Sequence, residues 1–149
     1  LLAAIALILG GEEGVEGVVE EPRAADDGEV LDNATIDQLE QDAGPAVTDE
    51  LIGIFLDEMS TRVRRMATSA ADGDTAALGE DAHALKSSSG TFGARRLQYL
   101  AAAIEGACET GNAAMAMKLA TQLEGCSGVT REAFEVRGAG AVERQAASD

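Results

Sequence analysis

The chain has 149 residues, 27 acidic side chains against 11 Lys and Arg, and a formal net charge of -16. That balance lacks the basic footprint that nucleic acid demands of a partner, and the length holds one domain of four or five helices plus a tail. Aromatic residues are 3% and tryptophan is absent while alanine and leucine abound, so an all-α fold is expected rather than a sheet.

Residues 1–9 form an unbroken apolar run. It is shorter than the roughly 20 residues of a bilayer span and lacks the basic start and small-residue cleavage site of a signal peptide. No membrane insertion is expected. The first residue is not methionine, so the run is read as the end of an upstream element. Residues 10–29 set glycines among eight acidic residues and one base, Arg23, a composition too polar to bury a core. Residues 1–31 are therefore expected to be a disordered linker or tail.

The domain is expected over residues 32–137. Thr35 followed by Gln38 reads as a capping box for a short helix through Asp42, ended by Gly44 and Pro45. A long helix is predicted from about Thr48 to Ala71, with Leu51, Phe55, Met59, Val63, Met66 and Ala70 at core spacing. Asp72, Gly73 and Asp74 make a turn, and Asp74 can cap the next helix. That helix carries Leu78, Ala82, Leu85, Ser89 and Phe92 on one apolar stripe. Gly93 separates it from a helix with Leu97, Leu100, Ile104 and Cys108, closed by Gly111. Asn112 can cap a last helix carrying Met115, Leu119 and Leu123, bent or looser past Gly125 and Gly128 toward Phe134. Residues 138–149 read as a flexible C-terminal tail. Short connections favour antiparallel neighbours, hence an up-and-down antiparallel four-helix bundle with a short additional N-terminal helix. Cys108 and Cys126 both fall in helices and read as small apolar fillers rather than a disulfide framework or a metal site.

His83 is the one histidine of the chain. It stands roughly 140° from the centre of its helix's apolar stripe, facing out. Gly79, Ser87 and Gly90, at minus four, plus four and plus seven, share that outer side. Glycine inside a helix costs roughly 1 kcal/mol against alanine, and close approach of another protein's surface would supply the reason for two of them. Lys86, three residues on, lies within reach of whatever the ring carries, and its ammonium would offset the nearly two negative charges of a phosphoryl group. No Gly-rich phosphate loop, second histidine or paired acidic cluster accompanies the site, so no ATP or metal binding is expected.

Residues 82–97 read Ala-His-Ala-Leu-Lys-Ser-Ser-Ser, Gly-Thr-Phe, Gly-Ala, Arg-Arg, Leu. This resembles the signature of histidine phosphotransfer (HPt) domains, Ala-His-x-Leu-Lys-Gly-Ser-Ser, three variable residues, Gly-Ala, two variable residues and Leu. One position departs, Ser87 in place of glycine, which narrows the docking space by a hydroxymethyl group. Downstream, Leu97, Leu100, Ile104, Glu105 and Gly111 look like the helix that follows the signature in that family.

The resemblance implies a phosphorelay intermediate. A receiver-domain phospho-aspartate would pass its phosphoryl group to Nε2 of His83, and a second receiver would take it onward. The receiver would supply magnesium, an acidic pocket and a lysine, and this chain no cofactor and no kinase activity of its own. Lys86 is expected to balance charge, with Arg95 and Arg96 as further candidates, and Gly79, Ser87 and Gly90 are expected in the docking surface. The expected partners are receiver domains of response regulators or hybrid histidine kinases, for a cytoplasmic monomer standing alone or tethered behind a larger sensor. A non-phosphorylated helical adaptor that binds a signalling partner is the alternative. A small hydrolase with His83 as base lacks a nucleophile and an acid partner.

Overall fold

A computed structural model describes residues 29–148, and among them the regular structure is entirely helical. The helices are α1 (Asn33–Ala43), α2 (Pro45–Ala71), α3 (Thr75–Thr91), α4 (Arg95–Glu109), α5 (Ala113–Ala120) and α6 (Leu123–Ser148). None is long and apolar enough to cross a membrane.

The helix starts follow side-chain chemistry, with corrections to the sequence reading. α1 begins two residues before Thr35, behind Asp32, and the expected capping box does not form. Thr35 Oγ1 instead donates to Asp32 Oδ2 at 3.0 Å, and Gln38 Nε2 to Asp42 Oδ1 at 3.0 Å. Gly44, at φ 90°, divides α1 from α2, and Pro45 opens α2 three residues earlier than expected, since its fixed φ and missing N–H suit the first helical position. Asp74 Oδ1 accepts from Ala77 N at 3.1 Å and Asn112 Oδ1 from Met115 N at 3.1 Å, the two predicted caps. Past Asn112 the expected single helix breaks at Thr121–Gln122, giving α5 and α6.

Both ends of the domain also differ from expectation. Residues 1–28 lie outside the described residues, but residues 29–31 are no tail. Leu31 is buried in the core, and the Val30 carbonyl accepts the Arg96 N–H at 3.3 Å. At the other end the backbone stays helical past Gly138 to Ser148, because that stretch holds alanine, glutamate, arginine and glutamine without proline.

Neighbouring helices run antiparallel, as their cross-contacts show. Phe55 on α2 stacks on Phe92 at the end of α3, ring centroids 5.1 Å apart, while Arg62 further along α2 pairs with Asp81 near the start of α3. Phe55 also meets Phe134 of α6 edge-on at 6.2 Å, and Arg131, one turn earlier on α6, reaches the Leu56 carbonyl and Ser60. Leu78, Leu85, Leu97, Leu100 and Ile104 bury completely where α3 and α4 meet the rest, each worth about 1.5–3 kcal/mol of apolar transfer. Leu51, expected in the core, is 38% exposed. Steps of four residues drift around a helix, and at that end of α2 Thr48 and Phe55 hold the inward positions.

The turn between α3 and α4 admits only glycine at position 93. Its φ is 74°, and a Cβ there would stand 2.9 Å from the Asp32 carbonyl. The Gly93 carbonyl in turn accepts the Asp32 N–H at 2.7 Å. The entering chain is thereby locked to the α3–α4 hairpin.

Asp81 ties α3 to α2 from the other flank. Arg62 Nη1 donates to Asp81 Oδ1 at 2.9 Å, Arg65 Nε to Oδ2 at 3.2 Å, and Arg65 Nη2 also reaches Oδ1. The Arg65 hydrogen bond, more than the Coulomb fields of the two arginines, holds this carboxyl below the ordinary carboxylate range against the cost of its burial. A lowered folded pKa means that protonation favours the unfolded chain, so the contribution is complete above the unfolded value near 3.8 and vanishes as pH falls through the folded value. Asp81→Asn is therefore expected to lose about 1–3 kcal/mol at neutral pH, and to lose less further stability than the wild type on acidification below about pH 4. Urea unfolding at neutral pH and at about pH 3 reads both effects.

Candidate functional site

α3 places His83 where the sequence puts it, on the face away from Leu78, Ala82 and Leu85, and its side chain is 64% exposed. The ring is not free on both edges. Nδ1 lies 2.7 Å from Oε2 of Glu105 on α4, and the other oxygen of that carboxylate, Oε1, takes the Lys86 ammonium at 2.6 Å. Lys86 and, to a lesser degree, His83 hold the Glu105 carboxyl below its ordinary range. Glu105 is thus an ionised acceptor that clasps both side chains of α3 from the neighbouring helix.

An ionised carboxylate can only accept, so the imidazole donates through Nδ1–H. In a neutral ring that proton assignment leaves the lone pair on Nε2, the nitrogen turned away from Glu105. The ring thus has a counter-charge on its Nδ1 side and an ammonium one helical turn away. Glu105 was read from the sequence only as part of the following helix, without a role.

The small residues have a partly different cause from the one expected. A Cβ on Gly79 would lie 3.2 Å from Cβ of Cys108, and one on Gly90 would lie 2.7 Å from Nε2 of Gln98. Gly79 thus admits α4 at close range, which packing inside the domain explains in part, whereas the atom met at Gly90 is the tip of a flexible side chain that can move aside. Gly79 and His83, together with Ala76, Glu80, Glu105 and Cys108, also line an open groove beside the ring. The half-buried Cys108 there is a free thiol, pushed up from its usual pKa chiefly by burial. Ser87 is exposed one turn after His83, its carbonyl accepting from Thr91 Oγ1 at 3.1 Å.

Arg95 and Arg96 are not gathered at the ring. They begin α4, ten and nine residues before Glu105, or about 14–15 Å along the helix. Arg95 lies over the Tyr99 ring at 5.8 Å, and the Arg96 N–H holds the entering chain at Val30. Their place at the far end of α4 removes them from charge balance at His83.

The Hpt domain family model matches residues 50–133, more than half of the chain, a span that runs from early α2 into α6 and contains His83, Lys86 and Glu105. No curated protein matches the chain.

Proposed function

Because the chain belongs to the Hpt domain family, whose members serve two-component phosphorelays as phosphoryl carriers without kinase activity, we propose that His83 is the carrier residue, loaded by a receiver phospho-aspartate and unloaded to the aspartate of another receiver. The observation that supports this most is the hydrogen bond from Nδ1 to Glu105, which leaves Nε2 as the exposed basic nitrogen. In the loading step the Nε2 lone pair forms a bond to phosphorus while the bond from phosphorus to the aspartate oxygen breaks, and that oxygen leaves as carboxylate. The ring keeps its Nδ1 proton and gains positive charge, which the ionised Glu105 offsets at short range. Unloading reverses these bonds toward the next receiver.

Phosphoryl transfer of this kind needs positioning and charge balance more than covalent help from the protein. In this reading the receiver brings magnesium, the acidic pocket and a lysine, and the chain contributes no cofactor. α2, α3, α4 and the α5–α6 pair make an antiparallel four-helix bundle with α1 as a short cover, and the domain works as a cytoplasmic monomer. Gly79 in the groove beside the ring, the exposed Ser87 and the part-exposed Gly90 form part of the surface that the receiver meets.

Lys86 acts in the same step by leaving Glu105 for the incoming phosphoryl oxygens. It is part-exposed, so its charge is screened and its share is modest. Lys86→Ala is expected to slow loading by about tenfold or less, equivalent to about 1.4 kcal/mol or less of transition-state stabilisation, with unchanged helical circular dichroism. Stopped-time transfer from a phosphorylated receiver measures it.

The proposed function is tested by offering the chain a panel of phosphorylated receivers and following labelled phosphate. Transfer to the chain, with a product labile in acid and stable in base, supports phosphohistidine. Binding of a receiver with no labelled product would mark the domain as a non-phosphorylated adaptor instead.

A further inference from the structure

The groove beside His83 extends toward the start of α3, away from Lys86. Ala76, Gly79 and Glu80 line it from α3, and Cys108 and Glu109 line it from the end of α4, beyond Glu105. It holds about 410 Å³, within the roughly 300–1,000 Å³ of binding clefts. Its floor is made of small groups, because α3 and α4 approach closely there. A Cβ on Gly79 would lie 3.2 Å from Cβ of Cys108, so the Ala76 methyl, the Gly79 backbone and the Cys108 thiol leave an apolar hollow.

The rim is acidic and uncompensated. Glu80 and Glu109 are exposed, one on each helix, and among the described residues neither side chain has an ion pair or a hydrogen bond. Glu105, by contrast, is held by Lys86 and His83. Burial, and after it the charge of Glu109, push the Cys108 thiol above its usual range, which sets that carboxylate beside the floor. Glu80 stands three residues before His83, on the adjacent turn.

We propose that this groove is a docking socket for the receiver, which seats a small apolar side chain in it between lysine or arginine residues, and that Glu80 and Glu109 select receivers with such a basic edge. The inference rests on the carrier reading of His83. His83 is itself part of the wall, so a receiver that reaches the ring comes up against the groove. Covering two unpaired carboxylates with a neutral or acidic surface takes water from them and returns no counter-charge, whereas cations opposite them supply one. The chain's charge of -16 adds a general repulsion against an acidic face. A second copy of this chain would bring that same charge and the same carboxylates, so it does not fit the socket.

The receiver that loads the wild type fastest is the probe. Glu80→Gln combined with Glu109→Gln is expected to lower kcat/KM for loading by about 3–10-fold at low salt, as rim charges act on encounter. The loss is expected in KM rather than in the rate at saturating receiver, and to fade in about 1 M salt, where charges are screened within about 3 Å. Faster loading of this double variant would mean that the receiver brings an acidic edge, and an unchanged KM that it brings none; either result overturns the proposal. Ala76→Trp fills the hollow from an exposed position without entering the core. It is expected to raise KM about tenfold with intact helical circular dichroism, and a wild-type KM would show that the groove stays empty and overturn the socket. Wild-type chain that no receiver loads would end the carrier reading and the socket together, whereas normal loading that ignores these variants ends the socket alone.

Discussion

His83→Gln is expected to accept no labelled phosphate from any receiver that loads the wild type, while its urea midpoint moves by no more than about 0.5 kcal/mol of stability. The size of the first effect follows from chemistry. Glutamine offers an amide nitrogen whose lone pair is delocalised into the carbonyl, and no other histidine exists in the chain to replace the lost nucleophile. The smallness of the second follows from position. The ring is 64% exposed, so removing it opens no cavity, and the glutamine amide can still donate to Glu105. Label retained on the variant at the wild-type level would place the phosphate on another residue and end the assignment of His83.

Glu105→Ala is expected to slow phosphoryl loading by about 10–100-fold, a loss of the size seen when the carboxylate that orients a metal-bound imidazole is removed. Without an acceptor at Nδ1, the ring can place its single proton on Nε2 and turn about its side-chain bonds, which hides the lone pair and loosens its aim. The charge that the ring acquires on loading also loses its nearest counter-ion. Glu105→Gln separates these causes. Its amide oxygen can still accept from Nδ1–H but carries no charge, so loading is expected to recover most of the way if orientation dominates, and to stay as slow as in Glu105→Ala if charge dominates. Glu105→Ala loading at the wild-type rate would show that the carboxylate serves only to hold Lys86 and the helix pair. Single-turnover transfer with purified phosphorylated receiver gives the rates directly.

Much of the site was legible in residues 74–97, because a helix fixes relative directions along itself. The outward face of His83, the buried stripe through Leu78 and Leu85, and the Asp74 cap all followed from spacing within one element. Contacts between elements were harder. Glu105 and His83 each stand eleven residues from Ala94, so equal counting outward from the Gly93 turn would have paired them, but only once the two helices were known to pack side by side in that register. Gly79 shows the same difficulty. It read as space left for a visitor, yet Cβ of Cys108 from α4 also comes to 3.2 Å of where its Cβ would be. Leu51 shows the limit of a spacing rule at a helix end, where the partner helix α3 has already terminated level with Phe55 and Phe92. The break at Thr121–Gln122 had no glycine or proline to announce it.

α3 is gripped from two sides within three residues. Asp81 fastens it to α2, and His83 itself is fastened through Glu105 to α4. A helix pinned so near its reactive side chain works as a stationary post. In the proposed relay such a post keeps its nitrogen in one place, so that every visitor of the right shape meets the same target, and loosening the Glu105 grip would blur that target for all of them alike.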